Sequence, residues 1–490
     1  MAAPARPALQ ADTALGAYLA TSGGSFHPAL FPKQDEYGTS IYTSETLAPG
    51  TKVVCCPFSL AITPTQVRRE ALPLAFFPPP ADPREDDDRR LMVLYLVLHL
   101  LPAPLLSSLR EQQGLHLAHE AYISALPAAT TLRTPLYFTS AERSLLRGTN
   151  LDGATRDREQ QWRAEWEEVR RRLEGADVEG EVRREVTWER WLWACTMLSS
   201  RAFPSSLIDN DQPNSTPVLF PGIDLLNHRP TARVTWSSDV RGAGSGSVTG
   251  GEEKGGSLTI VLDELVPAGT QVFNTYGAKS NEELLLGYGF VLPSPPSNPA
   301  DILALKLSLP SPDSSAVYSK LHDLLARLGL QEPRHTVPPS GVLPPALLTQ
   351  MRLLLLASTD PSSFLAMVEE LSHLSEKEEA LEKLAFLGWE NELDVLDALE
   401  GMLEAKAEGL SAVNVDAEAA AQPSVRSEVK EMIKIYRRGQ LQIVEAALAH
   451  REQLFEATLE RARAEGVELA FEEEEDEDEE EGSIEGEGEE

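Results

Sequence analysis

Leu219-Phe220-Pro221-Gly222-Ile223-Asp224-Leu225-Leu226-Asn227-His228 is a largely apolar run that ends on two polar side chains. Buried amide and imidazole groups must find hydrogen-bond partners. The Asn-His pair therefore reads either as a strand-end turn with satisfied side chains or as part of a site. A second unusual stretch follows it: Phe273-Asn274-Thr275-Tyr276-Gly277-Ala278-Lys279-Ser280-Asn281-Glu282-Glu283-Leu284-Leu285-Leu286-Gly287-Tyr288-Gly289-Phe290. Here Tyr-Gly occurs twice, around a polar turn. Taken singly, Tyr276 and Tyr288 read as core aromatics with a polar tip. Taken together with Asn227-His228, and in this order, they point to one composite site.

Both stretches lie in a β-rich region, Val218 to Phe290. Leu258–Leu262 alternates and Gln271–Phe273 continues the pattern. Ser237–Gly256 reads as a Gly/Ser-rich loop interrupting two strands, and Asn281–Tyr288 as a short helical turn. Upstream, Ser40–Tyr42, Lys52–Cys56 and Leu60–Ile62 read as short β runs, with a Pro-Gly turn within Thr46–Gly50. Ala11–Ala20 reads as a short helix. The Pro-rich stretch Phe76–Pro83 and the acidic run after it read as a linker. Between the two β regions the spacing predicts helices over Arg89–Leu101, Arg156–Leu173 and Val186–Arg201. From Asp301 the pattern is helical again. It ends in the amphipathic stretch Ser427–Arg463, where Val429, Met432, Ile433, Tyr436, Ile443, Val444, Ala447 and Leu448 recur at helical spacing.

The chain has 490 residues, enough for two or three domains, and its 42% apolar content allows a large core. No window holds a membrane-length apolar run: Val93–Leu101 is strongly apolar but too short. The first residues lack the basic-then-apolar pattern of a secretory signal. Cys55, Cys56 and Cys195 have no CxxC spacing, so no metal site is expected, and a reduced compartment is. The motifs for a P-loop, a GxSxG nucleophile, an HExxH zinc site and a strand-linked dinucleotide fingerprint are missing. The formal charge is −34; the acidic run Glu472–Glu490 holds fourteen of the acids, leaving −20 on the other 471 residues. Such a field opposes direct nucleic-acid binding and suits a basic protein partner. The terminal run itself reads as disordered.

The two stretches resemble the paired core motifs of the SET domain, and most closely those of the RuBisCO large-subunit methyltransferase class. Tyr37-Gly38-Thr39-Ser40 through Pro57 resembles the first SET hairpin. Trp191–Phe203, with Ser199-Ser200-Arg201-Ala202-Phe203, resembles the helix that closes the insert of that class. Tyr436-Arg437-Arg438-Gly439-Gln440 resembles a helix of its C-terminal substrate-binding domain. The resemblance implies an α+β fold of small β-sheets with a pseudo-knot, containing a helical insert and followed by an all-α C-terminal domain. The expected order is an N-terminal tail with a short helix (1–36), the first SET part (37–88), the insert (89–200), the second SET part with the pseudo-knot (201–295), the all-α domain (301–465) and the acidic tail (466–490).

The resemblance also implies S-adenosyl-L-methionine as cofactor and methylation of a lysine on a non-histone protein, such as a ribosomal protein or translation factor. Tyr276 would be the catalytic residue, with its phenol oxygen beside the transferring methyl. Gly38, Thr39, Ser40, Arg201, Asn227, His228, Tyr276 and Phe290 would hold the cofactor. Asn227-His228 would contact its adenine through the backbone and its amino-acid end through a side chain, and Arg201 would pair with its carboxylate. Asp224 and Tyr288 would face the substrate; no metal is implied. A monomer acting in the cytoplasm, and also in the nucleus, is expected, with no membrane partner. Where the class usually has Gly-x-Gly, this chain has Gly38-Thr39-Ser40, and serine restricts the backbone where glycine permits close approach. Two alternatives stay open on the sequence: a protein-histidine methyltransferase, and an adaptor of the same fold without catalysis.

Overall fold

A computed structural model describes residues 9, 13–35, 38–70, 85–176, 180–209, 215–240, 255–293, 298–374 and 376–467. In chain order its strands are β1 (Ser25–Phe26), β2 (Leu30–Asp35), β3 (Gly38–Thr43), β4 (Lys52–Pro57), β5 (Phe203–Pro204), β6 (Pro217–Val218), β7 (Val234–Val240), β8 (Gly256–Leu262), β9 (Leu303–Lys306) and β10 (Arg334–Val337). They make a four-stranded sheet in the order β1-β4-β8-β7 and three two-stranded pairs, β2-β3, β5-β6 and β9-β10. The valines of β4 and the Leu-Thr-Ile-Val run of β8 favour pleated, packed surfaces. Val53, Val54, Cys56, Leu258, Ile260 and Leu262 are accordingly buried.

The chain divides into two units: Met1–Ile302 with Ala407–Gln442, and Leu303–Lys406 with Ile443–Glu490. The first holds the four-stranded sheet, the β2-β3 and β5-β6 pairs and the helical insert; the β9-β10 pair lies in the second. In the insert, Glu85–Leu98 buries every side chain from Leu91 to Leu98. It packs on Trp188–Arg201, which starts at a Thr187 cap and buries Trp191 through Leu198. Burial of this kind stabilises by roughly 1.5–3 kcal/mol per large apolar side chain. The long helix Asn150–Ala176 buries Trp162, Val169 and Leu173 and is charged elsewhere. No single helix among the described residues is long and apolar enough to cross a membrane.

Residues 407–442 belong to the first unit through polar anchors as well as apolar packing. Arg437, 5% exposed, donates to the carbonyls of Leu145, Arg147, Gly409 and Leu410 at 2.6–3.2 Å. Arg426 pairs with the fully buried carboxylate of Glu142, which also closes the capping box of Ser140–Ser144. Tyr436, also fully buried, donates to Glu282 at 3.5 Å.

The second unit is built mainly of helices: Ala316–Arg327, Pro345–Thr359, Pro361–Ser372, Lys377–Lys383, most of Trp389–Ser411 and the end of Ser427–Ala464. Its core gathers Leu321, Leu325, Leu353, Phe364 and Leu384. A buried pair, Arg352 to both oxygens of Glu392 at 2.6 and 2.7 Å, is set among these helices.

The structure differs from the sequence expectations in several places. Residues 1–36 are not only a tail and helix, because β1 and β2 lie there and pair with β4 and β3. Leu60–Ile62 is not a strand: Phe58–Leu60 is a 3₁₀ turn, and only Ile62 makes a bridge, to Leu219. Gln271–Phe273 likewise makes one bridge, Tyr42 to Gln271. Strand β7 runs on to Val240, further than the expected loop allows. The region from residue 301 is not all-α, since β9 and β10 pair antiparallel, and its 407–442 part joins the first unit. The acidic run after Pro83 is not linker, because from Glu85 it forms the start of the helix Glu85–Leu98. The Phe76–Pro83 part of that linker, most of the Gly/Ser-rich loop and the Glu472–Glu490 run lie outside the described residues.

Candidate active site

The site begins with a single parallel rung between His228 and Asn274. Asn274 N–H donates to the Asn227 carbonyl at 2.8 Å, and Arg229 N–H to the Asn274 carbonyl at 2.9 Å. This is where the two stretches of the expected pseudo-knot run side by side. Asn274 is fully buried, and its Oδ1 accepts from Trp236 Nε1 and from Thr275 N, both at 2.8 Å. The rung therefore rests on a buried carboxamide, a costly group unless it is bonded.

One step further, Tyr276 N–H donates to His228 Nδ1 at 3.0 Å, and the two rings stack at 5.0 Å and 22°. An Nδ1 that accepts carries no proton, so the neutral ring holds its hydrogen on Nε2. Burial, with the Lys279 ammonium adding, pushes the His228 imidazole down to about 4. It is uncharged at neutral pH.

Tyr276 in turn stacks on Tyr288 at 5.1 Å and 25°. Phe290 completes the aromatic wall, 6.2 Å from Tyr288 and 6.3 Å from His228. The Tyr276 hydroxyl donates to the Leu226 carbonyl at 3.1 Å. Burial holds this phenol well above its ordinary value; Arg201 opposes the shift, and Asp224 and Tyr288 add to it. The group keeps its proton and its donor role. Tyr288 and Phe290 are placed by the helix Asn281–Tyr288, which opens with a Ser280–Glu283 capping box and ends at Gly289. Gly289 has φ +80°, and a Cβ there would meet Arg133 C and Thr134 N at 2.9 Å. Only glycine fits both the turn and the approach.

Arg201 ends the helix Trp188–Arg201 and reaches Asp224: Nη1 donates to Asp224 Oδ2 at 2.8 Å and to its carbonyl at 3.2 Å. Tyr122, from the insert, donates to the same Oδ2 at 3.0 Å. The Asp224 side chain is 2% exposed. The sequence expectation sets Asp224 toward a substrate; the structure puts its Oδ2 in an interior ion pair that orients Arg201. Arg201 Nε is buried and has no partner among the described residues. Burial is the largest single influence on Arg201 and lowers its pKa, but Asp224, with Tyr122 and Tyr276 adding, together outweigh it and raise the value, so the guanidinium is charged.

The first hairpin supplies the third side. Ser40 is fully buried in β3, opposite Lys33, and its Oγ accepts from Asn227 Nδ2 at 2.9 Å. Gly38 and Thr39 sit toward the turn of β2-β3, and Thr39 is exposed, its hydroxyl accepting from Gln34 at 2.6 Å. The structure thus gathers Ser40, Asn227, His228, Tyr276, Tyr288 and Phe290, sets Arg201 with Asp224, and leaves Thr39 on the surface. Sequence reasoning missed Asn274, Trp236 and Tyr122 as supports. Asn274 has a local signal, a polar residue directly after Phe273; Tyr122 has none. Among the described residues no group of His, Cys, Asp or Glu is arranged to hold a metal.

The chain is similar, over 92% of its length and 95% of the other's, to the crystal structure of the SET domain of LSMT bound to lysine and AdoHcy, with a TM-score of 0.69 at 19% identity. The chain has the fold of that SET domain. The structure of Rubisco LSMT bound to AdoMet matches this SET fold over 94% of the chain and 97% of its own, with a TM-score of 0.64 at 19% identity. Residues 312–444 match the family described as Rubisco LSMT substrate-binding. In sequence the chain is 32% identical to the ribosomal lysine N-methyltransferase set10 of Schizosaccharomyces pombe, over 56% of this chain and 43% of that protein. It is 29% identical to ribosomal lysine N-methyltransferase 1 of Saccharomyces cerevisiae, over 39% of this chain and 34% of that protein. The chain therefore matches less than half the length of either relative.

Proposed function

We propose that this SET-fold chain is an S-adenosylmethionine-dependent protein-lysine N-methyltransferase. The observation that carries the reading is the stack of His228, Tyr276 and Tyr288 built across one parallel rung. When bound, S-adenosylmethionine supplies an electrophilic methyl on a sulfonium, which a neutral amine attacks in line. The residues present fit that cofactor. Arg201 keeps a buried, unpartnered Nε and a fixed charge, suited to a carboxylate. Neutral His228 brings no cation to a site that must accept a sulfonium. The protonated Tyr276 phenol is anchored at Leu226, and its oxygen can still take weak C–H···O contacts. Aromatic faces at Tyr288 and Phe290 suit the ammonium-like chain of a lysine.

The target we propose is a basic protein of the ribosome or the translation apparatus. The charge of −34 supports it, as do relatives named for ribosomal lysine methylation. The adaptor reading draws on Ser40 as a departure that weakens cofactor binding, yet Ser40 is engaged with Asn227.

Calorimetry of the full chain with S-adenosylhomocysteine, beside methyl transfer by Tyr276→Phe, tests the reading. The expected result is binding by both proteins, within about threefold, and transfer slowed about 100-fold in the variant, as a small misplacement of a reacting group costs. No heat with the unaltered chain would favour the adaptor. Full activity of Tyr276→Phe would remove Tyr276 from catalysis. Labelled-methyl transfer into a lysate lacking the protein, with mass spectrometry of the labelled band, identifies the target and separates lysine from histidine.

A further inference from the structure

Leu292 lies in no strand, yet both of its main-chain polar groups are bonded, and to a side chain. Asn281 Nδ2 donates to the Leu292 carbonyl at 2.7 Å, and the Leu292 N–H donates to Asn281 Oδ1 at 2.9 Å. The carboxamide takes the place of a neighbouring strand. Its orientation is fixed, because a main-chain N–H can only donate and a carbonyl only accept. A carboxylate holds its other side. Asp301 Oδ2 accepts from Asn281 Nδ2 at 3.0 Å, and Asp301 Oδ1 accepts from the main-chain N–H groups of Asn281 at 2.9 Å and Ile302 at 3.1 Å. Asn298 Nδ2 donates to Asn281 Oδ1 at 3.1 Å and to the Lys279 carbonyl at 3.3 Å. Asn281, Asn298 and Asp301 are all buried. A buried polar network satisfied in this way is rigid, and it is costly to open.

The clamp spans the aromatic wall of the site. Asn281 begins the helix that ends at Tyr288, and Leu292 follows shortly after Phe290. Ahead of Phe290, the Gly289 N–H is bonded to the carbonyls of Leu284 and Leu285 at 2.9 and 3.2 Å. Phe290 is therefore strung between two fixed main-chain points, Gly289 and Leu292. Its side chain is only half-buried, so enclosure alone does not set the ring, which stands 6.2 Å from Tyr288 and 6.3 Å from His228. We propose that Asn281, oriented by Asp301, is a positioning residue for methyl transfer: it closes Leu292 onto the start of the helix and so sets Phe290 against Tyr288 in the wall that meets the lysine chain. This rests on the proposed methyltransferase reading. Neither Asn281 nor Asp301 touches a ligand in this role; both act through Phe290. A wall free to drift would misalign the amine for in-line attack, while Arg201 and His228 stay in place.

The test measures labelled-methyl transfer by the full chain into a dialysed lysate lacking the protein, with S-adenosylmethionine varied. Calorimetry with S-adenosylhomocysteine counts the sites able to bind. Asn281→Ala is expected to lower the maximal rate about 10- to 100-fold, the range for a misplaced reacting group, with the KM for S-adenosylmethionine and the number of sites unchanged. Asp301→Asn keeps the shape, but whichever way its amide lies, an NH₂ meets an N–H donor; it should slow transfer in the same manner and by less. It also serves if Asn281→Ala does not fold. Phe290→Ala should slow transfer too, and the double variant with Asn281→Ala should lose far less than the product of the two single losses, because the asparagine acts through that ring. A fall in rate matched by an equal fall in binding sites would mean a merely structural clamp and overturn the proposal. Full rates in both Asn281→Ala and Asp301→Asn would overturn it too, as would losses that multiply in the double variant, or a KM for S-adenosylmethionine that rises with the loss of rate. If the unaltered chain neither bound S-adenosylhomocysteine nor transferred label, the methyltransferase reading itself would fail, an outcome distinct from these.

Discussion

Acidification acts on His228 before it acts on most of the site. Its imidazole is buried, faces Lys279 and accepts the Tyr276 amide proton, and its pKa falls from about 6.5 to about 4. Because the folded value lies below the unfolded one, the unfolded chain binds more protons between these two pH values. Stability therefore rises with pH across that window, is fully present above about 6.5, and is lost as pH falls toward 4. The full difference corresponds to ~3 kcal/mol at 1.36 kcal/mol per unit. Burial is the larger cause and the ring is not wholly enclosed, while the smaller Lys279 contribution is screened by solvent, so the amount falls to about 1–2 kcal/mol. Protonation also turns Nδ1 into a donor facing a donor, which breaks the contact that stacks His228 on Tyr276. The direct assay is an NMR titration of the histidine ring protons, with the His228 signal assigned by its loss in His228→Asn. A midpoint near 4 is expected. His99, pushed down to about 3 by burial with His119 and Arg110 adding, contributes with the same sign and is separated by its own signal. A His228 midpoint at or above 6 would refute the reasoning, since it would require an open ring or a protonated Nδ1.

Two further substitutions probe how the site is held. Gly289→Ala forces a left-handed residue and a Cβ at 2.9 Å from the Arg133–Thr134 backbone; it should cost about 2–4 kcal/mol in thermal or denaturant unfolding and slow methyl transfer by shifting Tyr288 and Phe290, whereas wild-type stability would show that the approach relaxes freely. Arg437→Met leaves four carbonyls without their donor; a loss of about 3–5 kcal/mol, with faster hydrogen exchange in both residues 407–442 and 145–147, is expected, and exchange unchanged at 145–147 would mean the anchor is not needed there.

Legibility in the sequence followed the range of the interactions. The helix Asn281–Tyr288 matches its expected bounds because both ends are local: a Ser-x-x-Glu capping box at one and a glycine at the other. Asn227-His228 was legible as a site because polar groups after an apolar run must be satisfied somewhere. Strand β1 was not, since two residues carry no period, and Ser25-Phe26 is a strand only because Cys55 and Val54 pair with it. The allocation of residues 407–442 to the first unit was hidden for the same reason. The periodicity of Ser427–Ala464 is that of one continuous helix, and nothing local says that Arg437 collects carbonyls some 290 residues away.

Ser40 and Asp224 show a different limit, in which the residue is visible in the sequence and its partner is not. From sequence, Ser40 is a lost glycine, an argument about backbone freedom. That argument applies only where φ is positive or another backbone comes close. Gly38 has φ +99°, whereas Ser40 lies in a regular antiparallel ladder. The fold instead delivers it a partner: its Oγ accepts from Asn227 Nδ2 at 2.9 Å. Asp224 reads as an acid beside a site and so as a substrate contact, but Arg201 and Tyr122 reach its Oδ2 from the end of one helix and from the insert. A residue type next to a motif thus establishes that a group is near the chemistry. Whether it touches the ligand or holds another group that does depends on contacts made across 23 to 187 residues of chain.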